Sequence, residues 1–237
     1  MFGGRRIVLG VTGGVAAYKA ILLCRLLVDA DAHVIPVMTE SAQRFVGRAT
    51  FDALASEAVK TSVFDDIDPI PHTTLGQTAD LIIVAPATAR AIASYAAGLS
   101  DDLLTATLIA TRAPVIVCPA MHTEMWEHPS VRENLKVLSS RGVHVISPEE
   151  GRLAGGDVGS GRLASPESIF EAAKKLDLPT LSILADKDRM CRLRDGQKLA
   201  DHIKGSEVHI INNCGHMMLL EEADQTLAIL KKFILDK

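Results

Sequence analysis

The amino-acid sequence predicts an α/β fold built on a doubly wound parallel sheet, and two observations carry that prediction. Hydrophobic residues make up 48% of the 237 residues, whereas aromatic residues make up only 4%, a composition typical of buried parallel strands covered by helices. Short apolar runs alternate with segments of helical periodicity along the chain, an order that gives a largely parallel sheet. We therefore expect a flavodoxin- or Rossmann-like three-layer fold, extended by two βα units at its C-terminal end.

Composition also limits the classes of partner and site. The formal net charge is −4 and no basic block stands out, so we expect no nucleic-acid partner. No apolar run reaches membrane-spanning length, so we expect no membrane association and a cytoplasmic location. The four cysteines contain no CxxC pair, so neither a disulfide framework nor a metal site is expected.

The first element is a strand, a glycine turn and a helix. Residues 6–11 form an apolar run, Thr12-Gly13-Gly14 follow, and a helix extends to about Asp29. The backbone N–H groups of such a turn and the positive end of the helix dipole together suit a phosphate. Because the turn does not match GxGxxG, a tight turn without a ligand is an equal alternative.

The second strand, at 33–38, leads into the hydroxyl-bearing residues Thr39 and Ser41. These hydroxyls either cap a helix or bind the same phosphate as the glycine turn. Farther along, residues 65–71 are predicted to form an acidic loop, with His72 at its end.

The third and fourth strands, at 81–85 and 115–118, each lead directly into a predicted helix. The residues that leave the third strand are Pro86, Ala87, Thr88 and Ala89. The fourth strand leads into Pro119–Trp126, the start of a helix predicted to extend over 121–141. Because ligands of α/β sheets lie beyond the C-terminal ends of the strands, we interpret this segment as one wall of an active site.

A glycine-rich segment follows the fifth strand, which is predicted at 143–146. Residues 149–163 contain five glycines. This composition predicts a mobile loop of the kind that covers active sites.

Six motifs give the N-terminal part a specific resemblance. In order, they are GVTGGVAAYK from Gly10, HTTLGQTADL from His72, APATA from Ala85, GLSDDLL from Gly98, PAMHTEMW from Pro119 and the lid that ends in GSGRL. Residues 5–175 resemble the flavin-dependent cysteine decarboxylases. Within that family they are most similar to the phosphopantothenoylcysteine decarboxylase domain of the bifunctional coenzyme A biosynthesis protein.

The resemblance implies an enzyme that binds FMN and decarboxylates a cysteine-derived small molecule after oxidising its thiol. It implies His72 as the catalytic acid/base. It implies that Thr12, Gly13, Gly14, Thr39 and Ser41 hold the FMN phosphate and that Pro86, Ala87, Thr88 and Ala89 pack against the cofactor. It implies that Met121, His122 and Met125 face the substrate, and that the protein forms a trimer-based homo-oligomer unless the C-terminal part blocks it.

Three positions depart from the family pattern. His122 and Arg90 stand where the family usually has Asn, and Gly155 stands where the lid of the family carries a Cys near the substrate. These departures leave open an alternative in which the chain folds and binds FMN without turnover.

The C-terminal part has a different character. We expect one domain over 1–176 and a second fragment over 177–237 that packs on it. From Leu178 the sequence resembles the last two βα units of an α/β-hydrolase, in which Asp188 and His216 match the acid and base of a catalytic triad. No G-x-S-x-G nucleophile elbow occurs in the chain, so we expect both residues to be relics without hydrolase activity. The abrupt change suggests an engineered or recombined chimera.

Overall fold

The structure, a computed structural model, describes residues 2–64, 69–176, 180–201, 203 and 206–235. The chain divides into two units, Met1–Lys175 and Leu176–Lys237. The division falls beside the position where the sequence changes in character.

A five-stranded parallel sheet forms the centre of the first unit. Its strands are β1 (Arg6–Val11), β2 (His33–Met38), β3 (Leu81–Ala87), β4 (Val115–Pro119) and β5 (His144–Val145). They lie in the order β2-β1-β3-β4-β5, and every neighbouring pair is parallel. This is the flavodoxin-like order, whose switch point lies between β1 and β3. The predicted fold class is confirmed.

Burial explains why these residues form central strands. All seven residues of β3 are buried, as are five of the six residues in β1. Strands covered by helices on both faces have continuous apolar runs instead of an alternating pattern. The carboxyl ends of β1 and β3 therefore open into a crevice that the chain beyond each strand lines.

Eight helices of the first unit surround the sheet. They are α1 (Ala17–Asp29), α2 (Arg48–Leu54), α3 (Pro71–Thr78), α4 (Ala89–Ala97), α5 (Leu103–Ala110), α6 (Thr123–Glu127), α7 (Pro129–Ser140) and α8 (Pro166–Lys175), together with a 3₁₀ turn at Ala42–Arg44. The predicted end of α4 is confirmed, because Gly98 has the left-handed φ of 75°. Within the part of the chain that the structure describes, every helix is too short or too polar to span a membrane.

Two predicted boundaries near proline were wrong. The helix predicted over 121–141 is divided into α6 and α7 at His128, because the residue before a proline is disfavoured in helical geometry. His72 does not end a loop but lies in the first turn of α3, where Pro71 occupies the favoured first helical position. The rest of the predicted acidic loop falls largely on 65–68, which are outside the described residues.

The glycine-rich segment is a β-hairpin, not an irregular loop. Strands β6 (Glu149–Arg152) and β7 (Val158–Arg162) pair antiparallel. A Cβ added at Gly161, whose φ is 131°, would overlap the carbonyl oxygen of Met121, and one added at Gly159 would overlap the hydroxyl of Thr123. These two glycines therefore allow β7 to pack closely against the chain after β4, and we call the hairpin with its tip (149–162) the lid.

The second unit contains a two-stranded parallel sheet. Strands β8 (Thr180–Ala185) and β9 (Ser206–Ile211) pair with each other, and α9 (Leu193–Asp201), α10 (Met218–Glu221) and α11 (Ala223–Leu235) complete the unit. The two predicted C-terminal βα units are therefore present, and within the described residues their strands form a sheet of their own. Residues 177–179, which immediately precede β8, are outside the described residues.

Candidate active site

Two cavities lie beyond the carboxyl ends of β1, β3 and β4. The larger, the lid cavity, has a volume of about 600 Å³ and is lined by the α1 turn, the chain after β4 and the lid. The smaller, the hydroxyl cavity, has a volume of about 270 Å³. Thr88 lines both cavities. The two cavities therefore meet at the residue that begins α4.

The predicted site residues divide between these cavities. The lid cavity is lined by Gly13, Gly14, Thr88, Ala89, Met121, His122 and Met125. The hydroxyl cavity is lined by Thr12, Thr39, Ser41 and Thr88. The buried side chains of Pro86 and Ala87 line neither.

Thr12 joins the ends of β1 and β3. Its backbone N–H and its hydroxyl both donate to the Pro86 carbonyl, over 3.3 and 2.7 Å, and its hydroxyl oxygen accepts from the Thr88 N–H over 3.0 Å. Both of its donors are therefore used within the protein. Thr12 fixes the distance between the glycine turn and the start of α4, and its contact with a phosphate stays a prediction.

The glycine turn packs tightly against the segment after β2. A Cβ added at Gly13 would lie 2.8 Å from the backbone carbonyl carbon of Ser41. The hydroxyls of Ser41 and Thr39 lie 3.2 Å apart at the same place. Backbone N–H groups and two hydroxyls therefore converge at the N-terminal end of α1, an arrangement that suits an anion.

The chain after β4 holds the lid. The Met121 N–H donates to the Gly161 carbonyl over 2.9 Å, and the Thr123 hydroxyl donates to the Ser160 carbonyl over 2.8 Å. Trp126 is buried at the other end of the segment, with the Arg132 guanidinium 4.3 Å from its ring centre. This segment is therefore anchored in the core while Met121 and His122 face the cavity, as predicted for its position.

His122 lies between two carboxylates. Its Nδ1 bonds to Glu124 on α6, and its Nε2 lies 3.2 Å from the Asp157 carboxylate at the lid tip. A Cβ added at Gly155 would lie 3.2 Å from the same Nε2. The Glu124 carboxylate is the main cause that raises the pKa of His122, and Asp157 adds to it. When it is protonated, His122 therefore ties the lid tip to the wall of the cavity.

We expect this tie to depend on pH. Because the pKa of His122 is raised above its ordinary value of about 6.5, the ion pair with Asp157 is complete below that value and is lost as the pH rises through the raised pKa. Protection factors of the Leu153 and Gly156 amides, measured by hydrogen exchange from about pH 5.5 to 8.5, should fall with rising pH. In His122→Asn the profile should be flat, and an unchanged profile would contradict the tie.

His72 lies apart from both cavities. It is half-buried on α3, and its Nδ1 is buried without a hydrogen-bond partner in the described structure. It lines neither the lid cavity nor the hydroxyl cavity. A catalytic role for His72 therefore stays a prediction.

Three basic residues in the lid cavity were missed by the sequence analysis. Lys19, Arg152 and Arg162 line its wall. Lys19 belongs to the first quoted motif and Arg162 to the last, so the signal was a basic residue within each of these motifs. The convergence of the three residues depends on the fold, because Lys19 precedes Arg152 and Arg162 by more than 130 positions in the sequence.

In the second unit, the predicted acid and base meet. The His216 Nδ1 lies 2.9 Å from the Asp188 carboxylate, which also accepts the backbone N–H groups of Met190 and Cys191. The hydrogen bond from His216 is the main cause that lowers the pKa of Asp188. The two side chains are in contact, and their status as relics of a hydrolase stays a prediction.

The fold and the site together define a flavodoxin-like α/β protein with a ligand cleft at the switch point of its sheet. The chain belongs to the Flavoprotein family, whose model matches residues 1–176. The second unit lies beyond this match.

Curated relatives are similar over the same part. The coenzyme A biosynthesis bifunctional protein CoaBC of Mycobacterium bovis is 52% identical over 172 residues, which are 73% of this chain and 41% of the relative. The protein of the same name from Bacillus subtilis is 49% identical over 177 residues, 74% of this chain and 44% of the relative. The chain therefore spans about two fifths of the length of these curated relatives.

Solved structures share the fold. A PPC decarboxylase mutant complexed with pantothenoylaminoethenethiol is 33% identical with a TM-score of 0.65, and the similarity covers 72% of this chain and 96% of that one. The FMN binding protein AtHal3 is 33% identical with a TM-score of 0.62, covering 72% and 95%.

Proposed function

We propose that this chain is an FMN-dependent decarboxylase that acts on a phosphopantothenoylcysteine-type substrate, as in coenzyme A biosynthesis. The observation that carries the proposal is the pair of cavities that meet at Thr88, one suited to a cofactor phosphate and one covered by the lid. The names of the relatives support the reaction, and the pantothenoyl compound in the similar structure supports the substrate class. We also expect a cytoplasmic location.

The residues around the glycine turn fit FMN. The N-terminal end of α1 and the Thr39 and Ser41 hydroxyls form a place for its phosphate, and the missing Cβ of Gly13 lets Ser41 pack directly against the turn. Gly14, Thr88 and Ala89 would then contact the rest of the cofactor, since they line the adjoining cavity. Bound FMN supplies the redox chemistry that oxidises the substrate thiol before CO2 is lost.

The chain itself would orient the substrate and exclude water. Protonated His122 presents a cation to the lid cavity, where it suits the carboxylate of the substrate. Met121 and Met125 give the same wall apolar surface, and the lid covers the opposite side. A substrate carboxylate would take the place that Asp157 occupies beside His122.

The proposed acid/base is His72 of a neighbouring copy in a homo-oligomer. In a single chain the half-buried ring lines neither cavity, so it does not reach the place proposed for the substrate. Imidazole titrates near neutral pH, which suits proton transfer to and from the substrate. Sedimentation equilibrium would test the oligomer, and a monomer with full activity would overturn this assignment.

The second candidate is a chimeric scaffold that binds FMN without turnover. Gly155 and His122 favour it, because the lid tip lacks a thiol and the wall lacks the usual amide. In the same proposal the second unit, 177–237, is an α/β-hydrolase-like fragment. Its Asp188–His216 pair has no nucleophile elbow to serve, so His216→Ala should leave release of p-nitrophenol from an ester unchanged at background.

The decisive experiment has two steps. The visible spectrum of the purified protein is recorded before and after adding FMN, and CO2 release from phosphopantothenoylcysteine is then measured on the flavin-loaded protein. We expect flavin absorbance bands and stoichiometric CO2. Protein that never acquires flavin bands would overturn cofactor binding, whereas flavin-loaded protein that releases no CO2 would establish the scaffold.

A further inference from the structure

The lid cavity contains an imidazole that can move a proton. His122 lines the cavity together with Met121 and Met125, and 37% of its side chain is exposed. Among the described residues that line this cavity, His122 alone bears an imidazole or a carboxyl group, and none of them is a cysteine. His122 is therefore the side chain of this wall that is suited to gain and lose a proton near neutral pH.

Two contacts orient the ring. Its Nδ1 bonds to the Glu124 carboxylate, so Nε2 is the nitrogen directed toward the lid tip, 3.2 Å from the Asp157 carboxylate. The hydrogen bond with Glu124 is the first cause that raises the pKa of His122, and the charges of Glu124 and Asp157 add to it. The protonated ring therefore presents an N–H at Nε2, where the proposed function places the carboxylate of the substrate.

The proposed reaction needs a proton on the carbon that loses CO2. Departure of CO2 from the oxidised substrate leaves an electron pair on that carbon, delocalised to sulfur as an enethiolate, N–CH=CH–S⁻. Formation of the saturated thiol then requires a proton on the carbon beside nitrogen and a hydride on the carbon beside sulfur. The hydride returns from the reduced flavin that the oxidation of the thiol leaves, so the protein has to supply only the proton.

We propose that His122 is the acid that protonates the carbon beside nitrogen. The Nε2–H bond breaks, the C=C electron pair forms the new C–H bond, and the C–S⁻ bond becomes the C=S bond that accepts the hydride. Because His122 holds the carboxylate before CO2 leaves, its N–H then faces the carbon that bore it, and the neutral ring regains a proton from water. The inference rests on the proposed function and adds a catalytic residue to it.

Lys19 is the rival donor in the same cavity. Its Nζ donates to the Leu163 carbonyl over 2.6 Å, and burial, followed by the nearby Arg162, lowers its pKa. The two arginines of the cavity, Arg152 and Arg162, keep their protons because a guanidinium does not titrate in proteins. Variants of His122 and Lys19 therefore separate the two donors.

Gly155 allows the donor to be moved to the lid. A Cβ added at Gly155 would lie 3.2 Å from the His122 Nε2. A cysteine at position 155 would therefore bring its thiol to the place that Nε2 leaves when the ring is replaced by a smaller side chain.

Hydrogen exchange into an enethiol tests the donor without decarboxylation or flavin reduction. The full chain, without FMN and with oxidised FMN, is incubated anaerobically in D2O with pantothenoylaminoethenethiol, and deuterium on the carbon beside nitrogen is followed by NMR. Protonation of that carbon and its reversal replace hydrogen by deuterium. The wild type should exchange at least about 100-fold faster than His122→Asn, a factor typical of general acid–base catalysis.

Three further variants sharpen this comparison. His144→Gln is the matched control, because His144 is an exposed histidine on β5 outside both cavities, and its exchange should equal that of the wild type. Gly155→Cys added to His122→Asn should restore part of the exchange, whereas Gly155→Ala added to the same variant should restore none. Far-UV circular dichroism equal to that of the wild type shows that each variant is folded.

The outcomes separate the donor from the proposed function. Wild-type exchange no faster than that of His122→Asn overturns the donor, and so does exchange that is lost in Lys19→Gln but kept in His122→Asn. Exchange that depends on His122, in protein that releases no CO2, supports the donor while the proposed reaction fails. Release of CO2 with accumulation of the enethiol, and without exchange, leaves the proposed decarboxylation standing and overturns the donor.

Discussion

Gly13→Ala is expected to weaken the binding of FMN. The new Cβ would lie 2.5 Å from the Ser41 Cβ and 2.8 Å from its backbone carbonyl carbon, so the turn and the segment after β2 must separate. Overpacking of this kind costs about 1–3 kcal/mol, which corresponds to a loss of about 10- to 100-fold in FMN affinity. The dissociation constant can be measured by the quenching of flavin fluorescence.

Gly47→Ala is the matched control for this prediction. Gly47 also precedes a helix, has an extended backbone with φ −77°, and has no atom within 4 Å of an added Cβ. We expect its FMN affinity to equal that of the wild type. Normal affinity in Gly13→Ala would mean that the phosphate lies elsewhere, and the assignment of Thr39 and Ser41 would fall with it.

Gly161→Ala is expected to lower kcat/KM by about 100-fold or more while flavin remains bound. Its φ of 131° is strained for any residue with a side chain, and its Cβ would overlap the Met121 carbonyl oxygen. The strain costs about 1–3 kcal/mol and the overlap a similar amount. Because the Met121 N–H donates to Gly161, the lid would detach from the wall that bears His122.

Gly156→Ala separates the effect of backbone strain from the effect of the overlap with Met121. Gly156 also has a positive φ, 98°, but an added Cβ there meets no atom within 4 Å. It should show the loss due to backbone strain alone, about 10-fold, and so lie between wild type and Gly161→Ala. If the two variants lose the same activity, close packing of β7 against Met121 is not what holds the lid.

Much of the fold could be predicted because it depends on local patterns. Buried apolar runs marked β1, β3 and β4, and Gly98 marked the end of α4. The segment from Pro119 was correctly expected to line a cavity, since the rule for the carboxyl ends of parallel strands fixes where it lies. The motifs gave the predicted site residues, and most of those residues line one of the two cavities.

The remaining features depend on contacts between distant residues. Composition could not reveal that Gly159 and Gly161 make room for Thr123 and Met121, so the lid was predicted as a mobile loop. A buried lysine that donates to Leu163, 144 positions away, has no local signature. His72 lies on α3, none of whose residues lines either cavity, and the motif around His72 does not reveal that placement.

Along β7 the lid is attached through positions where only glycine fits, whereas the positions at its tip have room for other side chains. Positions 159 and 161 admit only hydrogen as a side chain, whereas Gly156 has open space and Gly155 faces the imidazole of His122. The residues that attach the hairpin to the wall are therefore different from the residues at its tip. A residue at the tip can be replaced while the attachment along β7 is kept.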